Sequence, residues 1–249
     1  MSIYPSRAVH VWTANPNDFD DAQWLELAGW LDVAESQYAA RFTHQADRRA
    51  YTLAHALRRL AVSTVLAVPP ARLVFSSEAG IKPLLLNAPG EPKIYFSHSR
   101  SRNLVACAVT CVGPVGIDVE AVDASIADMS LLSHFMVLPD VQAGEARLAN
   151  DPSAQFFLYW TVLEAYWKSR GCGLSFANPS ITFEPNHAGW FDVLLRDGNA
   201  SLDGGQAMAL DCPADCALAL ALALDAGCFP SEPGNVEVIR RLPNFFSGA

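Results

Sequence analysis

The hydrophobic and polar positions of this chain predict a first strand followed by two helices. Polar and apolar residues alternate over 8–14, a period typical of a half-buried strand. Apolar residues then recur at helical spacing from Trp24 to Ala34 and again from Leu53 to Val65, which predicts two long helices. The doublet Pro69-Pro70 should end the second helix, because proline cannot donate the backbone hydrogen bond that a helix interior needs.

After Gly113-Pro114 the same order of elements begins again. A strand is predicted at 115–120, a helical stretch within 127–149 and a long helix at 156–171. Further strands are predicted at 73–75, 93–97 and 104–112 in the first half and at 181–183, 190–196, 207–212 and 216–224 in the second. This repeated order predicts an α+β fold of two similar halves in a pseudo-two-fold arrangement, each a small, mostly antiparallel sheet packed by helices.

The pattern also predicts how the chain is divided. An N-terminal α+β half covers 1–113, a C-terminal α+β half with a candidate metal site covers 114–229, and a peripheral tail covers 230–249. With 249 residues, of which 51% are hydrophobic and only 17% charged, the chain can bury a sizeable core, and this composition excludes a disordered protein.

Charge and cysteine content exclude further classes. The formal net charge of −9 argues against a nucleic-acid-binding protein, which needs a basic surface. The amino end has no signal-peptide core and no apolar run approaches the ~20 residues of a membrane span, so we expect a cytoplasmic protein without a membrane partner. Six cysteines without a CxxC pair predict reduced thiols, and a zinc site on Cys212 and Cys216 would need two more ligands.

The strongest local signal is the acidic pair of the predicted strand GIDVE, Asp118 and Glu120. Side chains at i and i+2 lie on one face of a strand, so the two carboxylates should lie side by side while Ile117 and Val119 face the core. Adjacent carboxylates repel each other, and a divalent cation that prefers oxygen ligands, Mg²⁺ or Mn²⁺, relieves the repulsion. An ordinary solvent-facing strand with two acids is the alternative interpretation.

A third acid, Glu164, stands in the otherwise apolar helix FFLYWTVLEAYWK, where an unpaired buried carboxylate would be costly. Lys168 follows at i+4, so both side chains can share one face. A solvated surface pair is the alternative. The flanking aromatic residues Trp160, Tyr166 and Trp167 crowd the helix and favour a less solvated position for Glu164.

The segment FSHSR supplies hydrogen-bond donors where a strand becomes a loop. Ser97, His98 and Arg100 bring a hydroxyl, an imidazole and a guanidinium, a combination that favours a phosphate cradle. A Ser-His nucleophile pair is disfavoured, because adjacent strand side chains diverge and no GxSxG pattern surrounds them. An ordinary polar strand end is the alternative.

Cations are scarce in this chain, and its arginines are clustered. Pairs occur at Arg48 and Arg49, Arg58 and Arg59, and Arg100 and Arg102, which leaves a local anion pocket open. Considered alone, the first pair fits a solvated helix face. The turn that contains Lys82 and Pro83 likewise fits an ordinary surface turn.

Taken in order along the chain, these motifs resemble those of one enzyme family. GIDVE, a later WTVLEAYWK and an upstream FSHSR are similar to the GxDxE strand, the WxxKE(A/S)xxK helix and the SHS segment of the surfactin-type 4'-phosphopantetheinyl transferases. An early RF…DRR…LR helix and a GKP-like turn extend the resemblance over 40–175. Each motif alone is weak, whereas the ordered set is specific.

The resemblance implies a fold and a reaction. Two similar α+β halves would hold coenzyme A in a cleft between them. A serine hydroxyl of an acyl or peptidyl carrier protein would attack the β-phosphate of coenzyme A, so that the phosphopantetheine arm moves to the serine and 3',5'-ADP leaves. Because the two halves are fused in one chain, we expect a monomer.

The resemblance also implies a role for each candidate residue. Asp118, Glu120 and Glu164 would hold Mg²⁺, and Glu164, or a metal-bound water that Glu120 positions, would take the serine proton. Lys168 would lie on the pyrophosphate. The 3'-phosphate of the nucleotide would contact His98 with Ser97, and also either Arg49 or Arg48. The adenine would lie beside Lys82 and Pro83.

Two departures from the family pattern keep a second function open. Leu163 replaces the lysine that precedes the motif glutamate, and Ala50 replaces an arginine. The alternative is therefore a non-catalytic coenzyme A- or carrier-binding relative. Carrier proteins are acidic and this chain is acidic too, so recognition should depend on a local patch of its surface. The candidate patch is the stretch from Ile126 to Leu138. The alternative interpretation of this stretch is a helix that packs into the core.

Overall fold

We describe the fold from a computed structural model. The structure describes residues 8–76, 82–87, 93–137, 151–185, 190–197, 200–223, 236–241 and 243–246. The chain forms two compact units, the first made of Met1–Val112 with Val236–Ala249 and the second of Gly113–Asn235. Each unit combines one sheet with helices, which confirms the predicted α+β class.

Ten strands and five α-helices are described. The first unit contains β1 (Ala8–Ala14), α1 (Asp21–Ala28), α2 (Val33–Ala39), α3 (Gln45–Leu66), β2 (Tyr95–Arg100) and β3 (Val105–Thr110). The second unit contains β4 (Val115–Ala121), α4 (Met129–Leu132), β5 (Met136–Val137), α5 (Pro152–Ser169), β6 (Ser180–Pro185), β7 (Phe191–Asp197), β8 (Ala200–Ala209) and β9 (Cys216–Ala223). The last strand, β10 (Glu237–Arg241), belongs to the first unit.

The helix predicted from Trp24 to Ala34 is two helices, α1 and α2. Each begins with a capping box: Asp20 accepts from the backbone N–H of Gln23, and Asp32 accepts from that of Glu35. In return, the Gln23 and Glu35 side chains accept from the backbone N–H groups of Asp20 and Asp32. The second capping box starts a new helix, so the apolar positions that were predicted to form one helix face belong to two helices.

The sheet of the first unit has the order β10-β1-β3-β2, and α3 packs across β3 and β2. β3 is antiparallel to both of its neighbours, whereas β10 pairs with β1 in parallel. The sequence pattern assigned no strand to the segment after 229. The structure shows that Glu237 to Arg241 extends the sheet and that Phe245 is buried in the core of the first unit.

One arginine cluster of the sequence is part of the interior of the first unit. Arg58 and Arg59 are buried on α3, and both form ion pairs with the buried carboxylate of Glu35. Arg59 also pairs with Asp32 at 3.1 Å and donates to the carbonyl of Leu73. Carboxylates inside the fold therefore offset the charges of both guanidiniums, as buried charges require.

The sheet of the second unit has the order β4-β9-β8-β7-β6-β5, and α5 packs across β4, β9 and β8. The strands predicted at 181–183, 190–196 and 216–224 correspond to β6, β7 and β9, whereas β8 covers 200–209 and only overlaps the strand predicted at 207–212. Of the predicted helical stretch at 127–149, the described part contains only the short α4, and 138–149 lies outside the described residues.

Gly116 brings α5 directly onto β4. A Cβ atom at this position would lie 1.8 Å from the carbonyl oxygen of Ala165 and 2.5 Å from the backbone nitrogen of Ser169. Since no side chain separates the two backbones here, the helix approaches the strand more closely than any other residue would allow. The close approach fixes where the polar residues of α5 lie over β4.

In the described parts of the chain, every helix is too short or too polar to span a lipid bilayer.

Candidate active site

The acidic residues of β4 face α5. Gly116 faces the helix backbone, and Asp118 and Glu120 lie on the same side of the strand at i+2 and i+4. Ile117 and Val119 face the opposite way and are fully buried. Asp118 is only 2% exposed, so the alternative of an ordinary solvent-facing acid does not apply to it.

The helix α5 places a carboxylate and an ammonium over this strand. Glu164 and Lys168 are separated by one helical turn and are both half-buried. The Lys168 Nζ donates to Asp118 Oδ1 at 2.5 Å. Glu164 and Lys168 thus share one face of α5, as expected, and Lys168 also links the helix directly to the strand.

The pKa values of this cluster reflect burial and then an excess of negative charge. Burial, followed by the charge of Asp118, raises the pKa of Glu120 to about 7. The same two causes raise the pKa of Glu164, and Lys168 opposes the rise at both carboxyls. Three carboxylates face one ammonium, so the cluster would gain by taking up a further cation.

The donor chemistry of the cluster fits Mg²⁺ or Mn²⁺. All three acids offer carboxylate oxygens, the ligands that these hard cations prefer. The Lys168 ammonium contacts Asp118 and supplies positive charge there. Among the residues that the structure describes, no group of three His, Cys, Asp or Glu side chains is arranged to hold a metal ion, so a shared ligand sphere stays a prediction.

The second set of candidate residues lies on β2 of the first unit. Ser97 is buried, and His98 is half-buried with its ring 5.3 Å from the ring of His55 in an edge-to-face arrangement. His55 Nδ1 lies 2.9 Å from the carbonyl oxygen of Tyr51, so this nitrogen carries the proton and donates. Burial, and then the charge of Arg58, lowers the pKa of His55 to about 3 and keeps this imidazole neutral.

Two residues near His98, Tyr51 and His55, belong to no motif of the sequence. They stand at i and i+4 on α3, and their rings stack with centroids 3.9 Å apart. Their helical spacing was readable in the sequence, but polar aromatic residues on a helix carry no signal of what they face. Only the packing of α3 on β2 brings them to His98.

The structure separates the two arginines that were alternatives at the start of α3. Arg49 pairs with Asp21 at 3.0 Å and lies over the ring of Trp24, 5.2 Å from its centroid. Arg48 is exposed and lies about 100° away around the helix. Arg49 therefore serves the contact between α3 and α1, and Arg48 is the one placed away from that contact.

Lys82 and Pro83 are half-buried in a short described segment of the first unit. Burial lowers the pKa of Lys82 to about 8. The preceding residues of the predicted turn, Gly80 and Ile81, lie outside the described residues.

The two departures from the motif pattern are core positions. Leu163 is fully buried in the hydrophobic core of the second unit, and Ala50 is buried on α3. Since consecutive helix positions are separated by about 100°, Leu163 faces away from its neighbour Glu164. Neither departure removes a side chain from the acidic cluster.

Comparisons with known proteins identify the family of this chain. The family model described as 4'-phosphopantetheinyl transferase superfamily matches residues 114–210, and that described as 4'-phosphopantetheinyl transferase, N-terminal, matches 12–112. The 4'-phosphopantetheinyl transferase HetI of Nostoc sp. is 31% identical over 170 residues, which cover 68% of this chain and 71% of the relative. The chain belongs to the 4'-phosphopantetheinyl transferase superfamily. The resemblance read from the ordered motifs is thereby confirmed at the level of the superfamily.

Two other transferases match a similar share of the chain. The 4'-phosphopantetheinyl transferase psf-1 of Bacillus pumilus is 29% identical over 175 residues, covering 70% of this chain and 72% of the relative. The 4'-phosphopantetheinyl transferase Sfp of Bacillus subtilis is 24% identical over 171 residues, covering 69% and 74%. The superfamily model covers β4 and α5, the two elements that carry the acidic cluster.

Proposed function

We propose that this transferase moves the 4'-phosphopantetheine arm of coenzyme A to a serine of an apo acyl or peptidyl carrier protein, as a surfactin-type enzyme. The observation that carries the proposal is the cluster of Asp118, Glu120, Glu164 and Lys168 between β4 and α5, inside the segment matched by the superfamily model. Similarity to Sfp over 69% of the chain supports the surfactin type.

The proposed reaction is a displacement at phosphorus. The serine oxygen attacks the β-phosphorus of coenzyme A, and the bond from that phosphorus to the bridging oxygen breaks. The electron pair of this bond leaves with 3',5'-ADP. The serine proton passes to the Glu164 carboxylate, a half-buried group of the cluster.

Asp118, Glu120 and Glu164 are proposed to hold Mg²⁺, with Mn²⁺ as a substitute. When bound, the divalent cation supplies positive charge against the negative charge that develops on the leaving group. Lys168, already held at Asp118, would contribute a second positive charge on the pyrophosphate. The positive charges of the cation and of Lys168 would both offset the excess of carboxylates in the cluster.

The nucleotide end of coenzyme A is assigned to residues of the first unit. We propose that His98 and Ser97 contact the 3'-phosphate together with Arg48, because Arg49 is already paired with Asp21. Lys82 and Pro83 are proposed beside the adenine, largely through backbone contacts. His98, Ser97 and Arg48 would supply hydrogen-bond donors and positive charge to the anionic phosphate.

The proposed function is tested by intact mass. Purified protein incubated with coenzyme A, Mg²⁺ and a panel of apo carrier proteins should add the phosphopantetheine arm to at least one carrier and release 3',5'-ADP. The panel should include carriers of fatty acid, polyketide and nonribosomal peptide synthesis. Binding of coenzyme A without transfer to any carrier would instead support the non-catalytic relative.

An exposed apolar surface near α4 is proposed to receive the carrier. Ile126, Val137 and Phe176 are 64%, 50% and 76% exposed, and the Phe176 ring packs on Phe135 with centroids 4.9 Å apart. The first two lie in the stretch singled out in the sequence, whereas Phe176 comes from the loop after α5. Apolar contact suits an acidic chain that must bind an acidic carrier.

Replacing Phe176 with alanine should raise the KM for the carrier at least about tenfold and leave the Kd of coenzyme A unchanged, because burying an aromatic side chain is worth ~1.5–3 kcal/mol. Leu25→Ala is the matched control, since Leu25 on α1 is also 76% exposed. Equal carrier KM values for the Phe176 variant and the control would refute this docking surface.

A further inference from the structure

The six clustered arginines of the first unit divide into three with carboxylate partners and three without, namely Arg48, Arg100 and the exposed Arg102. Arg49, Arg58 and Arg59 each form an ion pair with a carboxylate. Within the described part of the chain, neither Arg48 nor Arg100 has a carboxylate within ion-pair distance. Among the described residues, no carboxylate therefore neutralises Arg48 or Arg100, and each can offer its charge to an anion.

The guanidinium of Arg100 is held over aromatic rings. Its central carbon lies 5.5 Å from the ring centroid of Tyr51 and 5.6 Å from that of Phe42. Both distances are within the range of a cation–π interaction, which orients a cation without neutralising it. Tyr38 backs the two rings, with its own ring 5.2 Å from Tyr51 and 5.7 Å from Phe42.

The packing of β2 on α3 places Arg100 beside His98. Side chains at i and i+2 share one face of a strand, and His98 and Arg100 both contact α3 from that face. His98 meets His55, and Arg100 meets Tyr51 one helical turn earlier. Arg48 lies on the same stripe of α3, three residues before Tyr51.

We propose that Arg100 is a further binding residue of this transferase, contacting the 3'-phosphate of coenzyme A beside His98, and that Tyr51 and Phe42 are its positioning residues. This inference rests on the proposed function. Arg100 can donate two parallel hydrogen bonds to a phosphate, which a lysine cannot do. His55 is neutral and adds no positive charge. On this stripe of α3 and this face of β2, the proposed anion would therefore meet the cations Arg48 and Arg100 and the donor His98.

The test compares coenzyme A with dephospho-coenzyme A, which lacks only the 3'-phosphate. For Arg100→Ala we expect the Kd of coenzyme A, measured by calorimetry, to rise about tenfold or more, while the Kd of dephospho-coenzyme A stays unchanged. Arg100→Lys should recover only part of the lost affinity, because it retains the charge without the planar fork. Phe42→Leu should shift the ratio of the two Kd values in the same direction by a smaller factor.

Arg102→Ala is the matched control, since Arg102 is exposed two residues further on and its replacement changes the net charge equally. The inference would be overturned if the ratio of the two Kd values in the Arg100 variant were unchanged or equal to that of the control. It would also be overturned if the variant bound both ligands more weakly by the same factor. If the unmodified protein transfers the arm normally in that case, the proposed function stands. If the unmodified protein neither binds coenzyme A nor modifies any carrier, the proposed function fails and the inference fails with it.

Discussion

Replacing Asp118 with asparagine is expected to abolish transfer of the phosphopantetheine arm while the protein stays folded. Asparagine keeps the shape of the side chain and can still accept a hydrogen bond from Lys168, but it removes the buried charge at the centre of the cluster. Loss of a group that stabilises developing charge costs on the order of 10³-fold in kcat. The rate of mass increase of an apo carrier measures this loss.

The matched control is Glu184→Gln, which removes the charge of an exposed carboxylate on β6 of the same sheet. We expect its transfer rate and melting temperature to equal those of the unmodified protein. A transfer rate within a few fold of normal for Asp118→Asn, with an unchanged requirement for Mg²⁺, would remove Asp118 from the active site.

The Gly116→Ala variant is expected to be both unstable and inactive. The added methyl group would overlap the backbone of α5 at Ala165 and Ser169, and backbone atoms cannot move aside as a flexible side chain can. Overpacking of this kind costs about 3 kcal/mol, which for a chain of this size lowers the melting temperature by about 6–12 °C. Displacement of α5 would also take Glu164 and Lys168 away from β4, so the folded fraction should lose transfer activity as well.

Gly113→Ala is a matched control for this variant. Gly113 precedes the same strand, and a Cβ there would meet only the carbonyl oxygen of Ala223 at 3.9 Å, an ordinary contact. Thermal unfolding and carrier modification should be nearly normal for this protein. Similar melting temperatures for the two variants would show that the close approach at Gly116 is not what sets the position of α5.

The acidic cluster could be predicted from the sequence because it depends on two short periods. The two-residue period of a strand places Asp118 with Glu120, and the i, i+4 spacing of a helix places Glu164 with Lys168. That the two pairs meet depends on Gly116, whose role as a contact between strand and helix has no signature in a single sequence. The residues proposed for the nucleotide end were harder to choose, because Arg48 and Arg49 are adjacent in the sequence and only the ion pair of Arg49 with Asp21 distinguishes them.

The division between α1 and α2 had a signal that the periodicity concealed. Asp20 with Gln23 and Asp32 with Glu35 both follow the capping-box pattern, and the second pair starts a helix inside a continuous apolar face. The same Glu35 then accepts the ion pairs of Arg58 and Arg59, which lie more than twenty residues later. A local rule could have found the cap, but no local rule gives the buried ion pairs.

The sequence by itself determined the α+β class, most strands and helices, and the residue types of the acidic cluster, because backbone sterics and side-chain periods act over a few residues. Tertiary structure alone decided the parallel pairing of β10 with β1, the burial of Asp118 under α5, and which arginines are neutralised inside the fold. Each of these depends on atoms far apart in the chain. Their energies depend on packing distances and on access to water, which exist only once the chain has folded.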